Sequence, residues 1–228
     1  MAPSSTTRTR AAARDAADAP PTRDERKQLT RAHLLGAALR LMEDGRAFSS
    51  LSLREVAREA GVVPAAFYRH FRDMEDLGLA LVEQGGVTLR RLLREARRDG
   101  IPPLDMLRGS VLIYHRFLHA NRQQFAFIAG ERSGGSRAIR NAIRTEEGHF
   151  ANEMAQDMRR LGLFAHLSMP ALQMVCGLVV TTMLNAAIDI LDLPPGQPKA
   201  EAELVDNFVR QLRVILLGAR AWRERTPV

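Results

Sequence analysis

Ser50 to Gly61, SLSLREVAREAG, constrains this chain more than any other stretch. Ser52 stands where an N-cap belongs, Glu55 three positions later closes a capping box, and Leu51 opposite Val56 makes a hydrophobic staple. A helix starts here and Gly61 stops it. Pro64 suits the first position of a following helix, because its missing N–H would be unsatisfied there anyway, and that helix is expected to run to about His70. Two short helices around the turn Gly61-Val62-Val63 have the length of a helix-turn-helix, spanning about Ser52 to Phe71.

The pattern divides the side chains of this unit. Val56, Ala57, Ala60, Phe67 and Phe71 form one apolar set for packing, which leaves Arg54, Ala65, Ala66, Tyr68, Arg69 and His70 for solvent or DNA. In a helix-turn-helix the second helix enters the major groove while the first crosses the backbone. Arg54 offers a guanidinium fork to a guanine edge, and Ala65 and Ala66 are small enough to approach the bases and touch thymine methyls. Tyr68, His70 and Arg72 suit phosphate oxygens, which set register without reading sequence. Each has an alternative: a surface charge for Arg54, helix propensity alone for the alanines, and a partly buried aromatic for Tyr68. Charge favours the DNA reading. Residues 1–72 hold 13 Lys and Arg against 8 Asp and Glu, +5, whereas the remainder contributes only +2 of the total +7. Such an excess suits a polyanion.

Elsewhere the chain reads as all-helical, with few aromatics and abundant Ala, Leu and Arg. Residues 1–23 have almost no large apolar side chain and are expected to be a disordered basic arm. Apolar spacing from Thr30 to Gly45 gives a first helix, completing a helix-turn-helix unit over 24–72. The rest, 73–228, is expected to hold helices at 74–98, with a bend at Gly85-Gly86, and at 104–119, 122–130, 137–162, 169–191 and 199–224. Cys176 is alone and reads as buried. No segment is counted as reaching about 18 uncharged apolar residues and residues 1–21 lack a signal-peptide core, so the expectation is a cytoplasmic protein with no membrane partner.

Leu53 to Val62 (LREVAREAGV) followed by Phe67-Tyr68-Arg69-His70-Phe71 resembles the DNA-binding region of the TetR family, over roughly residues 28–77. Within that family, Ser50 to Gly61, Pro64, Phe67 to Asp73, Leu77-Gly78-Leu79 and Glu131-Arg132-Ser133-Gly134 are similar to the FabR and DesT type of repressors of unsaturated fatty acid biosynthesis. The resemblance implies a TetR-like all-α fold. It implies a homodimeric, non-enzymatic repressor of double-stranded operator DNA, whose effector is a long-chain acyl-coenzyme A or acyl-carrier-protein thioester. It also puts Arg54, Ala65, Ala66, Tyr68 and His70 at DNA-facing positions. Two departures stand out: Val63 replaces a frequent polar N-cap, and Met74-Glu75 replaces a frequent phosphate-contacting Lys. Helix three then leans on Pro64 and on Arg69 or Arg72.

By spacing, Phe117, Phe125, Ile128, Phe150, Met154, Met174 and Leu178 are core residues. The fatty-acid resemblance adds the alternative that they line an acyl tunnel, for which the flexible Met thioether is suited. Arg132 has two readings: a partner for a thioester phosphate, or part of a Glu131–Arg132 network holding its loop. Stripes of Cys176, Val180 and Leu184, and of Leu204, Val205, Phe208, Leu212 and Ile215, suggest a four-helix dimer seam, with Gly177, Thr181 and Ala187 permitting close approach. Other TetR-type effectors, such as a drug, or a lipid carrier or acyl-processing enzyme without DNA binding, are the competing readings. His115 and His119 form an i,i+4 pair without an HExxH frame or cysteine partners, and no metal or catalytic site is assigned.

Overall fold

The computed structural model describes residues 22–43, 45–96, 103–194 and 196–223. It contains nine α-helices among these: α1 (Arg23–Leu41), α2 (Leu53–Glu59), α3 (Pro64–Phe67), α4 (Met74–Ala96), α5 (Pro103–Ala120), α6 (Arg122–Gly134), α7 (Arg137–Arg160), α8 (Met169–Asp192) and α9 (Pro198–Ala221). A 3-10 turn, Phe48–Ser50, precedes α2.

Helix α1 begins well before Thr30. Thr22 and Glu25 form a second capping box that apolar periodicity does not register, because Arg23 to Gln28 are polar throughout. Thr22 and Arg23, assigned to the arm by sequence, therefore belong to a helix start; residues 1–21 of that arm lie outside the described residues.

Two apolar cores share α4. The first gathers Leu34, Leu35, Ala37 and Ala38 of α1 with Val56, Phe67 and Phe71, and takes in Leu77, Ala80, Leu81 and Val82 from the beginning of α4. Phe48 joins it and meets Phe127 of α6 edge-on, ring centroids 5.1 Å apart. Ile139 and Ile143 of α7 close the same core, so the helix-turn-helix region is packed directly against the larger helical body. Farther along α4, Leu89 and Leu93 enter the second core, built mainly from α5, α7, α8 and α9.

No break separates the two parts of α4. Gly85-Gly86 does not interrupt the helix, which is continuous across them, and the glycines serve close approach. A Cβ at Gly85 would fall 2.7 Å from Gln124 Nε2, and one at Gly86 would collide with the Glu146 carboxylate. Buried Gln124 uses that space to donate to the Leu81 carbonyl at 2.8 Å, and Glu146 pairs with Arg90.

Helix α8 corrects a count made from sequence. Met169 to Ile188 carries no charge, and α8 is long and apolar enough to cross a membrane, but half of its apolar window is buried within the fold, as in a core helix. It also corrects the dimer seam. Cys176, Val180, Val205, Phe208 and Leu212 all face the second core, Leu184, Leu204 and Ile215 pack against it, and Ala187 is buried. The apolar side chains left outside are Met174, Leu178 and Ile188 on α8 and Val214 and Leu217 on α9, each between 46% and 69% exposed. Helices α8 and α9 are apolar on two faces, and pattern alone does not say which one turns inward.

Leu212, 1% exposed, should therefore report on the fold and not on assembly. Leu212→Ala is expected to lower unfolding free energy by about 2–5 kcal/mol in urea titration, whereas Val214→Ala stays within about 0.5 kcal/mol when measured on the dissociated chain.

Candidate nucleic-acid interface and ligand cavities

Helix α2 is capped at both ends. Ser52 Oγ accepts from the Glu55 amide at 3.3 Å, while Glu55 Oε2 accepts from the Ser52 amide at 2.9 Å. Arg46 donates to the other Glu55 oxygen at 3.0 Å. The Ser52 bonds first, then Arg46, hold the Glu55 carboxyl down at about 2, so the box stays ionised across the physiological range. At the other end Val62 N–H reaches the Ala57 carbonyl at 2.9 Å and Gly61 N–H reaches Arg58 at 3.1 Å, a Schellman closure. It needs a left-handed residue at position 61, where Gly61 has φ +70°. Val63 supplies no side-chain cap to α3, and Pro64 at its first turn compensates.

The unit sorts its side chains much as the pattern implies. Val56, Ala57, Phe67 and Phe71 are buried, and Ala60 is partly so. Arg54, Pro64, Ala65, Tyr68, Arg69 and Arg72 are exposed, Tyr68 by 64% despite being aromatic. Ala66 is half-buried. Arg72 leans toward Asp76 at 3.5 Å but remains largely in solvent. His70 departs from the simple picture: it is half-buried, and its Nδ1 is buried with no hydrogen-bond partner among the described residues. Desolvation first, then the cations Lys27, Arg31 and Arg69, push its pKa below the ordinary imidazole value. Lys27 and Arg31, one turn apart on α1, thus extend the positive surface around His70; Arg31 also lies 5.2 Å over the Phe71 ring. Sequence reasoning missed both, although their i,i+4 spacing was visible once α1 was known to start at Arg23.

Among the described residues, the second body holds at least two cavities. The smaller, about 60 Å³, is almost wholly apolar and runs along α4 beside Gly85 and Gly86. Phe125, Ile128, Phe150 and Met154 of the expected ligand set line it, together with Tyr114, whose hydroxyl donates to the Met183 carbonyl at 2.9 Å. The larger cavity, about 790 Å³, lies between α5, α7, α8 and α9 and the turn Gly162–His166. Its wall includes Met106, Leu107, Val111, Met158 and Leu216, with Ser110, His166, Arg213 and Arg220 as its polar members. Leu93, Met154 and Met183 line both cavities and form the partition between them. Phe164, on the large cavity, is held at φ +55°, a region rarely adopted by an aromatic residue, and Arg159 braces its turn by donating to the Ala165 and Leu167 carbonyls.

The remaining expected ligand residues sit elsewhere. Met174 and Leu178 are half exposed on the outer face of α8 and line neither cavity. Phe117 is buried behind the small cavity, packed edge-on against Phe125 at 5.6 Å. Arg132 is already engaged, donating to Glu147 and to Asn185 Oδ1, each at 2.9 Å; Glu147, not neighbouring Glu131, is its carboxylate partner. The large cavity escaped sequence reasoning because it is bounded by residues from six separate segments.

The same architecture recurs among known proteins. A family model for bacterial regulatory proteins of the tetR family matches residues 34–81, and a model for the tetracyclin repressor-like C-terminal domain matches residues 103–212. Among solved structures, the fatty acid degradation regulator FadR from Bacillus halodurans is 18% identical, with a TM-score of 0.62 over 86% of this chain and 97% of its own. A TetR-like transcriptional regulator from Rhodococcus sp. RHA1 is 16% identical, with a TM-score of 0.61 over 90% of this chain and all of its own. Another regulator from that organism, 20% identical, has a TM-score of 0.63 over 84% and 96%. These likenesses concern the fold. With both regions matched in order, the chain belongs to the TetR family of DNA-binding transcriptional regulators, with its helix-turn-helix ahead of a larger helical body.

Proposed function

We propose that this protein is a dimeric repressor whose affinity for operator DNA responds to a long-chain acyl thioester bound in the larger helical body. The observation that carries the effector half is the pair of cavities meeting at a partition of Leu93, Met154 and Met183. A volume near 790 Å³ falls within the range of about 300–1,000 Å³ usual for small-molecule sites. An acyl chain entering there would meet the two methionines, whose unbranched thioethers repack readily, and beyond them the small apolar cavity against α4. Arg213 and Arg220 at the large cavity take over the phosphate-binding role first considered for Arg132, since guanidinium groups pair well with phosphate. The similarity of fold to a fatty acid degradation regulator agrees with this choice of effector.

Helix α4 gives the physical route to DNA. An effector pressing on Leu89, Leu93 and the Gly85-Gly86 segment acts on the same rigid element whose first turns pack under α1 and α3. It changes operator affinity only as far as it prefers one arrangement of α4, with couplings of about 1–3 kcal/mol usual for such systems. On the DNA side, Arg54 reads a base edge, Ala65 and Ala66 allow close approach, and Tyr68, Arg69, Arg72, Lys27 and Arg31 meet phosphates. The exposed apolar side chains of α8 and α9 form the seam between two copies.

Arg54→Ala is expected to weaken specific operator binding by about 1–3 kcal/mol with an unchanged circular dichroism spectrum; an equal loss on random DNA reassigns it to a phosphate. Val214→Glu places a charge in the proposed seam, and sedimentation should find a folded monomer. For the effector, operator titrations with matched saturated and monounsaturated acyl-coenzyme A should give different affinities, and free coenzyme A should give none of the change. Met183→Phe, which stiffens and fills the partition, should abolish the difference. Identical operator affinity with every acyl species removes fatty-acid sensing and leaves another hydrophobic effector as the reading.

A further inference from the structure

Apart from the cavities and the basic face, one cluster of side chains is arranged for chemistry the family assignment does not use. His115 and His119 lie one turn apart near the end of α5, and Glu201 projects toward them from the first turn of α9. The two imidazoles approach through the same atom, Nε2 to Nε2, at 3.2 Å, with ring centroids 4.5 Å apart and planes at 63°. Glu201 Oε1 is 3.9 Å from His119 Nε2, and the three ligand atoms lie within 4.8 Å of one another.

We propose that His115, His119 and Glu201 form a site for a divalent transition-metal ion, with Zn²⁺ the best match, that clips the end of α5 to the start of α9. Two nitrogens on one four-coordinate Zn²⁺, with bonds of about 2.0–2.1 Å, sit about 3.3–3.4 Å apart, close to the spacing between these rings. The carboxylate needs only a rotamer adjustment of its flexible stem, because it is on a different helix and 33% exposed. Two imidazoles and one carboxylate select zinc, nickel or copper over magnesium and calcium, which prefer oxygen donors throughout. A fourth position stays open to water, since Glu201 and His119 both border solvent.

Local charge is compatible with this occupant. Burial first, then the neighbouring His119, push the His115 pKa below its ordinary value, with Glu201 acting in the opposite sense and Arg116 in the same. Both helices also frame the large cavity: α5 contributes Met106, Leu107 and Val111, and α9 contributes Leu212 and Leu216. Arg108 and Asp206, paired at 2.8 Å, already link the same two helices. An ion at His115, His119 and Glu201 would be a second, stronger tie along that seam.

The untagged full chain, stripped with a chelator and dialysed, is titrated with Zn²⁺ and with Co²⁺ as a visible probe. One ion per chain is expected by calorimetry, together with a four-coordinate Co²⁺ absorption band and a raised melting temperature, because binding to the folded state alone stabilises it. His119→Gln, at an exposed position, is expected to weaken Zn²⁺ binding at least about 10-fold while preserving the helical spectrum, as is Glu201→Gln to a lesser degree. His149→Ala, at a separate exposed histidine, is expected to bind normally. The proposal is overturned if His119→Gln and the double variant His115→Ala/His119→Ala bind Zn²⁺ like the parent. It is equally overturned if Zn²⁺ binds no more tightly than Mg²⁺. Neither readout depends on DNA or acyl thioesters, so a failed effector assignment leaves this test intact.

Discussion

Everything in this molecule hangs on the fact that one helix belongs to two cores. Leu77, Ala80, Leu81 and Val82 of α4 are buried with α1 and α3, and Leu89 and Leu93 are buried with α5, α7 and α8. A rigid rod shared in this way cannot shift at one end without disturbing the other. Three glycines make the sharing possible: Gly78 faces Ile139 and Phe48, Gly85 faces Gln124, and Gly86 faces Glu146, all too close for another Cβ without displacement. The backbone entropy those glycines cost the helix, on the order of 1 kcal/mol each, is set against contacts that only close approach permits.

The DNA-facing unit was the part most legible beforehand, because its signals are local. A capping box, a Schellman glycine and an N-terminal proline each act within a few residues, so Ser52, Glu55, Gly61 and Pro64 could be assigned their places without knowing the rest of the fold. Thr22 and Glu25 obey the same local logic, which apolar spacing does not register. Where judgement depended on tertiary neighbours, it failed in informative ways. Gly85-Gly86 reads as a weak point in sequence, but the deciding factor is what lies across from it on α6 and α7. Met174 and Leu178 look like the same apolar residues as Cys176 and Val180; only the placement of α7 and α9 turns one pair outward and the other inward.

Polar groups in the larger body repeat the lesson. Arg132 reads as an anion partner from its place just past the end of the expected helix 122–130, but Glu147 and Asn185 already satisfy it, and a guanidinium so held is costly to redirect. Arg213 and Arg220 attracted no notice because they lie on a helix with many exposed charges. Their significance comes from bordering a space that no single segment encloses. His70 is the intermediate case: its position in the motif was clear, but its half-burial among Lys27, Arg31 and Arg69 follows from an α1 that extends farther than periodicity allowed.

The partition of Leu93, Met154 and Met183 has one further consequence. Because these three side chains are the common wall of two unequal spaces, a guest confined to the larger one meets α4 only at Leu93, whereas a guest long enough to part the wall also reaches Leu89 and the Gly85-Gly86 segment of α4. With the proposed acyl effector, the wall would act as a ruler. Length below a threshold would be occupancy without a signal, and the threshold would be set by the reach from the arginines to three side chains, not by the total volume available.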